Sequence, residues 1–184
     1  MKHLRPLILE DVVWLQKVRN LPDQKMWFRQ PHQLTLEDQI KWFQNRDGHH
    51  FVMVQDYNLV GYCYLRGIDP THRDAEFGFF TFPKNIWIAK MMLQELFDYG
   101  FYDLGLHRIH SDVISGNPAH ELFKRLGFRD EGINRSIYWK EGQWVDSYNI
   151  AMFLEDYEGS TYWKRKHRQE TGLNPSAYKQ LVGS

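Results

Sequence analysis

The chain has 184 residues, 23 Lys+Arg against 23 Asp+Glu and hence no formal net charge at neutral pH, and 42% of it is hydrophobic. That is enough apolar mass for one domain with a full core, and it excludes a chain disordered throughout. No apolar run, such as Val60 to Leu65 or Ile86 to Leu93, approaches the roughly 20 residues of a membrane helix, and the single Cys63 excludes an internal disulfide. The segment Met1 to Pro6 lacks the apolar stretch of a secretory signal, so a cytoplasmic location without a membrane partner is expected. Cys63 lies in an apolar run and reads as a small buried hydrophobe.

Leu4 to Leu9 is extended, and Glu10-Asp11 then supplies acidic residues suited to a helix start. The helix reaches about Asn20, with Val13, Trp14 and Val18 on one side, and Leu21-Pro22 closes it because the residue before proline avoids the helical region. A loop of large groups, Trp27 to Pro31, follows. Thr35-Leu36-Glu37-Asp38 reads as an N-cap with a reciprocal acidic residue, and Leu36, Ile40 and Phe43 form the stripe of a second helix. From Phe51 the period changes to that of strands. Phe51 to Val54 and Leu59 to Ile68 flank the turn Asp56-Tyr57-Asn58 as a hairpin. Ala75 to Phe82 is a strand, 85–104 a long amphipathic helix, Arg108 to Ile114 a strand, and Pro118 to Leu126 a short helix stopped by Gly127. Strands from Phe128 and over Val145 to Phe153 meet at the tip Trp139 to Trp144.

The block Ala75-Glu76-Phe77-Gly78-Phe79, then Leu96 to Ile109 with Leu104-Gly105-Leu106-His107-Arg108, then Leu122-Phe123-Lys124-Arg125-Leu126-Gly127-Phe128, resembles the GNAT superfamily of acetyl-CoA-dependent N-acetyltransferases. The resemblance implies an α/β GNAT fold over 1–158, a mixed, mostly antiparallel sheet splayed at its centre with helices on both faces, followed by a basic C-terminal extension over 159–184. Within the superfamily, Val18 to Pro22, Trp27-Phe28, Leu34 to Gln39 and Trp42-Phe43 are similar to the amino-sugar-nucleotide N-acetyltransferases of the pseudaminic acid type, and the core is similar to ribosomal-protein N-terminal acetyltransferases. The implied reaction moves an acetyl group from acetyl-CoA to a primary amine, here of a nucleotide-linked amino sugar. A protein N-terminus is the alternative acceptor.

By the same resemblance, the CoA pyrophosphate loop falls on Lys84, Asn85, Ile86, Trp87, Ile88 and Ala89. Successive N–H groups and the positive end of a helix dipole suit a diphosphate there. Trp87 stands where the family has glycine, and tryptophan does not adopt a positive φ cheaply. Phe80, Thr81 and Phe82 are expected beside the donor, with an N–H near Phe80 or Thr81 polarising the thioester carbonyl, and Asn117 is a candidate for the pantetheine arm or for capping the next helix. Glu76 matches the carboxylate that draws the ammonium proton, with pairing to Arg73 as its bland reading. The usual tyrosine acid is Phe123 here, which leaves His120 and Tyr138 as substitutes. These departures at Trp87 and Phe123 keep open a GNAT-fold binding module that has lost turnover.

Arg19, Trp27, Arg29 and His110 are the expected acceptor contacts, because aromatic rings stack on a base or sugar and guanidinium groups pair a diphosphate. His110 and Asp112 lie two apart in one strand and share a face. The nine histidines show no ligand spacing, so no metal is expected. From Lys164 onward five Lys/Arg stand against one Glu, a run that suits a solvated face or a subunit contact better than nucleic acid. Exposed aromatic surface suits a homodimer.

Overall fold

The computed structural model describes residues 2–29 and 32–163. Seven strands form one sheet in the order β1-β2-β3-β4-β5-β7-β6, with β1 at Lys2–Pro6, β2 at His49–Gln55, β3 at Asn58–Asp69, β4 at Asp74–Thr81, β5 at Arg108–Ile114, β6 at Arg129–Lys140 and β7 at Gln143–Phe153. Helices α1 (Val12–Arg19), α2 (Pro22–Lys25) and α3 (Leu36–Asn45) precede β2, α4 (Ile86–Asp98) links β4 to β5, α5 (Ala119–Arg125) links β5 to β6, and α6 (Leu154–Gly159) follows β7. Every element expected from the sequence is present in order. The short α2 and α6 are additional. The β2–β3 turn works as its residues demand, with Asp56 and Tyr57 both at positive φ.

Two helix faces differ from the sequence reading. In α1 the buried residues are Val12, Leu15 and Val18, while Val13 is exposed. In α3 Thr35 caps the helix and exchanges bonds with Asp38, as its spacing predicts, but Leu36 is exposed and the buried side chain is Gln39. The reason is that α3 lies over the same face of the sheet as α1, where Gln39 Oε1 accepts from Arg19 Nη1 at 3.1 Å. A polar partner there outweighs a clean apolar stripe.

The sheet separates two cores. One, on the α4 face, contains Phe77, Met92, Leu96, Phe97, Tyr99 and Phe128. It also takes in Trp163, whose indole N–H donates to the Leu126 carbonyl at 3.0 Å and whose ring meets Phe97 and Tyr157. Packing thus continues past residue 158, and the basic run from Lys164 lies outside the described residues. The other core, under α1 and α3, holds Leu15, Val18, Val52, Tyr62 and Phe80. Cys63 is buried, and burial pushes its thiol well up, so it is a packing residue. No helix among the described residues is long and apolar enough to cross a membrane.

All neighbouring strands are antiparallel except β4 and β5, which run parallel and pair over only three rows, Asp74–Arg108, Ala75–Ile109 and Glu76–His110. Beyond Glu76 they part. Phe77, Phe79 and Phe123 of α5 pack together beside the opening, with ring centroids 5.5 and 5.8 Å apart. An opening in the middle of a sheet exposes backbone groups that elsewhere would be paired, which is where a ligand can bind to main chain.

Candidate active site

The split between β4 and β5 opens into a cleft of about 630 Å³. Arg19, Trp27 and Arg29 line its α1–α3 side; Phe80, Thr81, Lys84, Asn85, Ala89 and Asn117 line it toward α4 and α5. The donor and most acceptor candidates of the sequence reading thus meet in one place, while Glu76 and Tyr138 stand outside the lining and join it through Arg29 and Asp112.

On the α4 side, the backbone register decides which amides face the opening. Phe82 N–H donates to the Val60 carbonyl at 3.0 Å, and the β3–β4 register runs without a shift from Gly61–Thr81 to Arg66–Glu76. Alternation then turns the Phe80 and Gly78 amides to β3 and the Thr81 and Phe79 amides into the split. Of the two positions expected to polarise a carbonyl, Thr81 is the one whose N–H faces the cleft; Phe80 instead contributes its ring, stacked on Trp14 and met edge-on by Phe28. Gly78 is required for space, because a Cβ there would lie 2.4 Å from the Tyr64 phenol.

At the start of α4, Asn85 is the N-cap, and its Oδ1 accepts from the N–H groups of Trp87 and Ile88 at 3.0 and 3.1 Å. Trp87 sits inside the first turn of the helix and is absent from the residues at positive φ, so the glycine conformation expected at this position is not needed. Its indole is 72% exposed and does not line the cleft. Ile88 belongs to the core, and Phe82, in a cis peptide with Pro83, also stands outside the cleft lining. Asn117 both lines the cleft and caps α5, accepting from Ala119 N–H at 2.9 Å.

At the apex of the split, one cluster joins residues from four elements. Glu76 accepts from Arg66 at 2.9 Å and from the Tyr64 hydroxyl at 3.3 Å, and pairs with Arg29 at 2.7 Å. Arg29 also bonds Asp112 on β5, whose other oxygen accepts from the Tyr138 hydroxyl at 2.7 Å. The partner suggested for Glu76 by sequence, Arg73, is replaced by Arg66, which stands directly opposite Glu76 in the β3–β4 register. Burial alone would lower the Arg29 guanidinium, but Asp112 and Glu76 outweigh it and hold it above its ordinary value. Burial and the bond to Asp112 likewise raise the Tyr138 phenol, so at neutral pH it is a proton-bearing donor.

His120 does not reach the cleft. It is buried, its Nε2 lies 2.8 Å from Asp130, and its ring stacks on Tyr148 at 4.0 Å. The α5 register turns Leu122 and Phe123 inward and His120 toward β6. His110 stands opposite Glu76 in the last paired row, pairs with Asp74 at 3.2 Å, and does not line the opening. Sequence reasoning missed Tyr64 and Arg66. The signal was available in principle: both lie on the β3 face shared with Tyr62, opposite Gly78 and Glu76 once the hairpin register is known.

Deeper on the α1–α3 side of the cleft, His50 Nδ1 and the Tyr62 hydroxyl are 2.7 Å apart, and His50 Nε2 lies 2.7 Å from the Asp47 carbonyl. Burial pushes the His50 pKa down to about 4. Between its ordinary value of 6.5 and about 4 the unfolded chain takes a proton that the folded one refuses, so stability is full above pH 6.5 and falls as pH drops through that window. The expected loss is about 3 kcal/mol, read as the pH dependence of the denaturation midpoint. A His50→Phe variant should lack that slope; an equal slope in the variant assigns the acid lability elsewhere.

Residues 3–129 match the family model described as acetyltransferase (GNAT) domain. An uncharacterized N-acetyltransferase, p20 of Bacillus licheniformis, is 30% identical over 130 residues, 68% of this chain and 69% of its own. A spermidine N(1)-acetyltransferase of Escherichia coli is 27% identical over 181 residues, 95% of each chain. The structure of spermidine N-acetyltransferase from Vibrio cholerae in complex with CoA and spermine shares the fold, with a TM-score of 0.77 at 24% identity over 85% of this chain and 98% of that one. The N-terminal pattern pointed to amino-sugar-nucleotide enzymes and the core to ribosomal-protein acetyltransferases, whereas the relative matched over 95% of the chain is a spermidine enzyme.

Proposed function

The chain belongs to the GNAT acetyltransferase family and is an N-acetyltransferase, and we propose that its acceptor is a small molecule carrying both a primary amine and an anionic group, of the nucleotide-linked amino-sugar kind. Acetyl-CoA supplies an activated acetyl thioester. On this reading Lys84 and the first turn of α4 hold the diphosphate, which takes over the Trp87 and Ile88 N–H groups from Asn85 Oδ1, and Thr81 N–H polarises the thioester carbonyl. Glu76 takes a proton from the acceptor ammonium. The free amine then forms the C–N bond as the C–S bond breaks, and the departing CoA thiolate takes the proton that the newly acylated nitrogen sheds.

One observation carries the choice of acceptor. Three arginines, Arg19, Arg29 and Arg66, line the acceptor side with Trp27, Phe28 and Trp42, and the carboxylate Glu76 at the apex is already paired with two of them. A wall rich in guanidinium and aromatic groups suits a phosphate and a planar ring. A polyamine brings no anion to meet those guanidinium groups, and of the carboxylates nearby Glu76 and Asp112 are already paired with Arg29, which leaves Asp47 on the lining. The polyamine reading is kept because a spermidine enzyme is similar over 95% of the chain.

Turnover with acetyl-CoA, measured side by side for a UDP-linked amino sugar and for spermidine, tests the choice. The expected result is a kcat/KM at least tenfold higher for the nucleotide sugar. Preference for spermidine overturns the proposal.

A further inference from the structure

The most unusual contact in the cleft is that of Arg29. A single nitrogen, Nη2, touches a carboxylate on each of the two strands that part at the split, Glu76 Oε1 on β4 and Asp112 Oδ1 on β5. A cationic nitrogen thus bridges the gap at the point where the acceptor ammonium must arrive if Glu76 is to take its proton. Each carboxylate has other partners as well: Arg66 reaches both oxygens of Glu76 and Tyr64 shares Oε1 with Arg29, while Tyr138 donates to the second oxygen of Asp112. The pair is therefore fixed in place whether or not Arg29 is there.

We propose that Arg29 Nη2 marks the seat of the acceptor's ammonium nitrogen, between Glu76 and Asp112, and that the acceptor binds by exchanging its own cation for the Arg29 guanidinium. This deepens the function proposed above and rests on it. Asp112 thereby becomes the second residue that holds the reacting nitrogen.

The charge balance supports an exchange over an addition. Glu76 and Asp112 carry two negative charges, Arg29 and Arg66 two positive ones. Glu76 Oε1 already meets both Arg29 and Arg66, so adding an ammonium while Arg29 stayed would bring a third cation to it, whereas replacing Arg29 leaves the balance unchanged. Arg29 is also placed to leave. Its side chain is 37% exposed, and it follows α2 on a connection rather than inside a strand. Once displaced, its guanidinium remains beside Arg19 and Trp27 on the acceptor side, free to meet the anionic part of the same molecule. The exchange would thus select for acceptors that bring an anion along with the amine, since those compensate the displaced guanidinium and a simple amine does not.

Calorimetric titration of the full-length protein with methylguanidinium chloride at constant ionic strength tests the seat without requiring turnover. Arg29→Ala should bind the probe at least tenfold more tightly than the unaltered protein, because the internal occupant is gone. Adding Asp112→Asn to Arg29→Ala should abolish that gain. Arg29→Gln, which removes the charge but keeps the length of the side chain, provides a second vacated site should the alanine variant not fold. Equal affinity in the Arg29 variants and the unaltered protein overturns the exchange, as does a gain that survives Asp112→Asn. Since the probe is not acetylated, refilling without turnover of the nucleotide sugar sinks the acceptor proposal alone, and turnover without refilling sinks the exchange alone.

Discussion

Replacing Glu76 by Gln is expected to lower kcat by about two to four decades at neutral pH, the usual contribution of a positioned general base. The substitution keeps the size of the side chain and an oxygen able to accept from Tyr64 and Arg66, so the β3–β4 face should hold its shape. What it removes is the capacity to take a proton. The deficit should therefore shrink as pH rises toward the pKa of the acceptor amine, where the free base arrives already deprotonated. A rate equal to that of the unaltered enzyme across the whole pH range would show that the amine loses its proton elsewhere, with Asp112 the next group to test. Glu76 sits in the last row at which β4 and β5 still pair, and it reaches the cleft through Arg29, which lines it.

The second large effect concerns the end of the packed chain. Trp163→Ala is expected to cost about 3–5 kcal/mol, the range for deleting a large buried aromatic side chain. For a chain of this length that corresponds to a fall of roughly 6–20 °C in melting temperature. The side chain is buried, its N–H satisfies the last carbonyl region of α5 at Leu126, and its ring is enclosed by Phe97, Tyr157 and Tyr162. Trp163→Phe should recover most of the apolar burial but not the hydrogen bond, and so fall between the two. A melting temperature for Trp163→Ala within about 2 °C of the unaltered protein would mean that the chain's folded unit ends before this residue. The outcome also sets the shortest piece worth expressing: ending the chain at 158, where the sequence places its boundary, would remove the same ring.

Read by itself, the sequence determined the order of the strands and helices, because each rests on local chemistry. The Thr35–Asp38 exchange starts α3, the paired positive φ values of Asp56 and Tyr57 close the β2–β3 hairpin, and Gly127 at φ 92° ends α5. These signals act over a few residues and need no distant partner. The cap at Asn85 is equally local, although the sequence reading assigned that residue to the phosphate loop and not to a cap. Within the site, the sequence singled out Glu76, Arg29 and Tyr138 one at a time and noted that His110 and Asp112 share a face.

Only the tertiary structure decided which of them meet. Arg29 and Asp112 are 83 residues apart and Tyr138 and Asp112 are 26 apart. Their meeting depends on β4 and β5 separating after three rows, and on the β6–β7 register, which shifts between Asn134 and Tyr138. A one-residue slip in a strand sends every side chain to the opposite face, so no local pattern could fix that Tyr138 reaches Asp112. The same dependence removed His120, whose partner Asp130 lies on β6, and it cleared Trp87, whose indole points to solvent because α4 is already helical at that residue. Local hydrogen-bonding and conformational preferences write the elements into the sequence; the site is made of long-range pairings, whose register is set only when the two cores pack against the sheet.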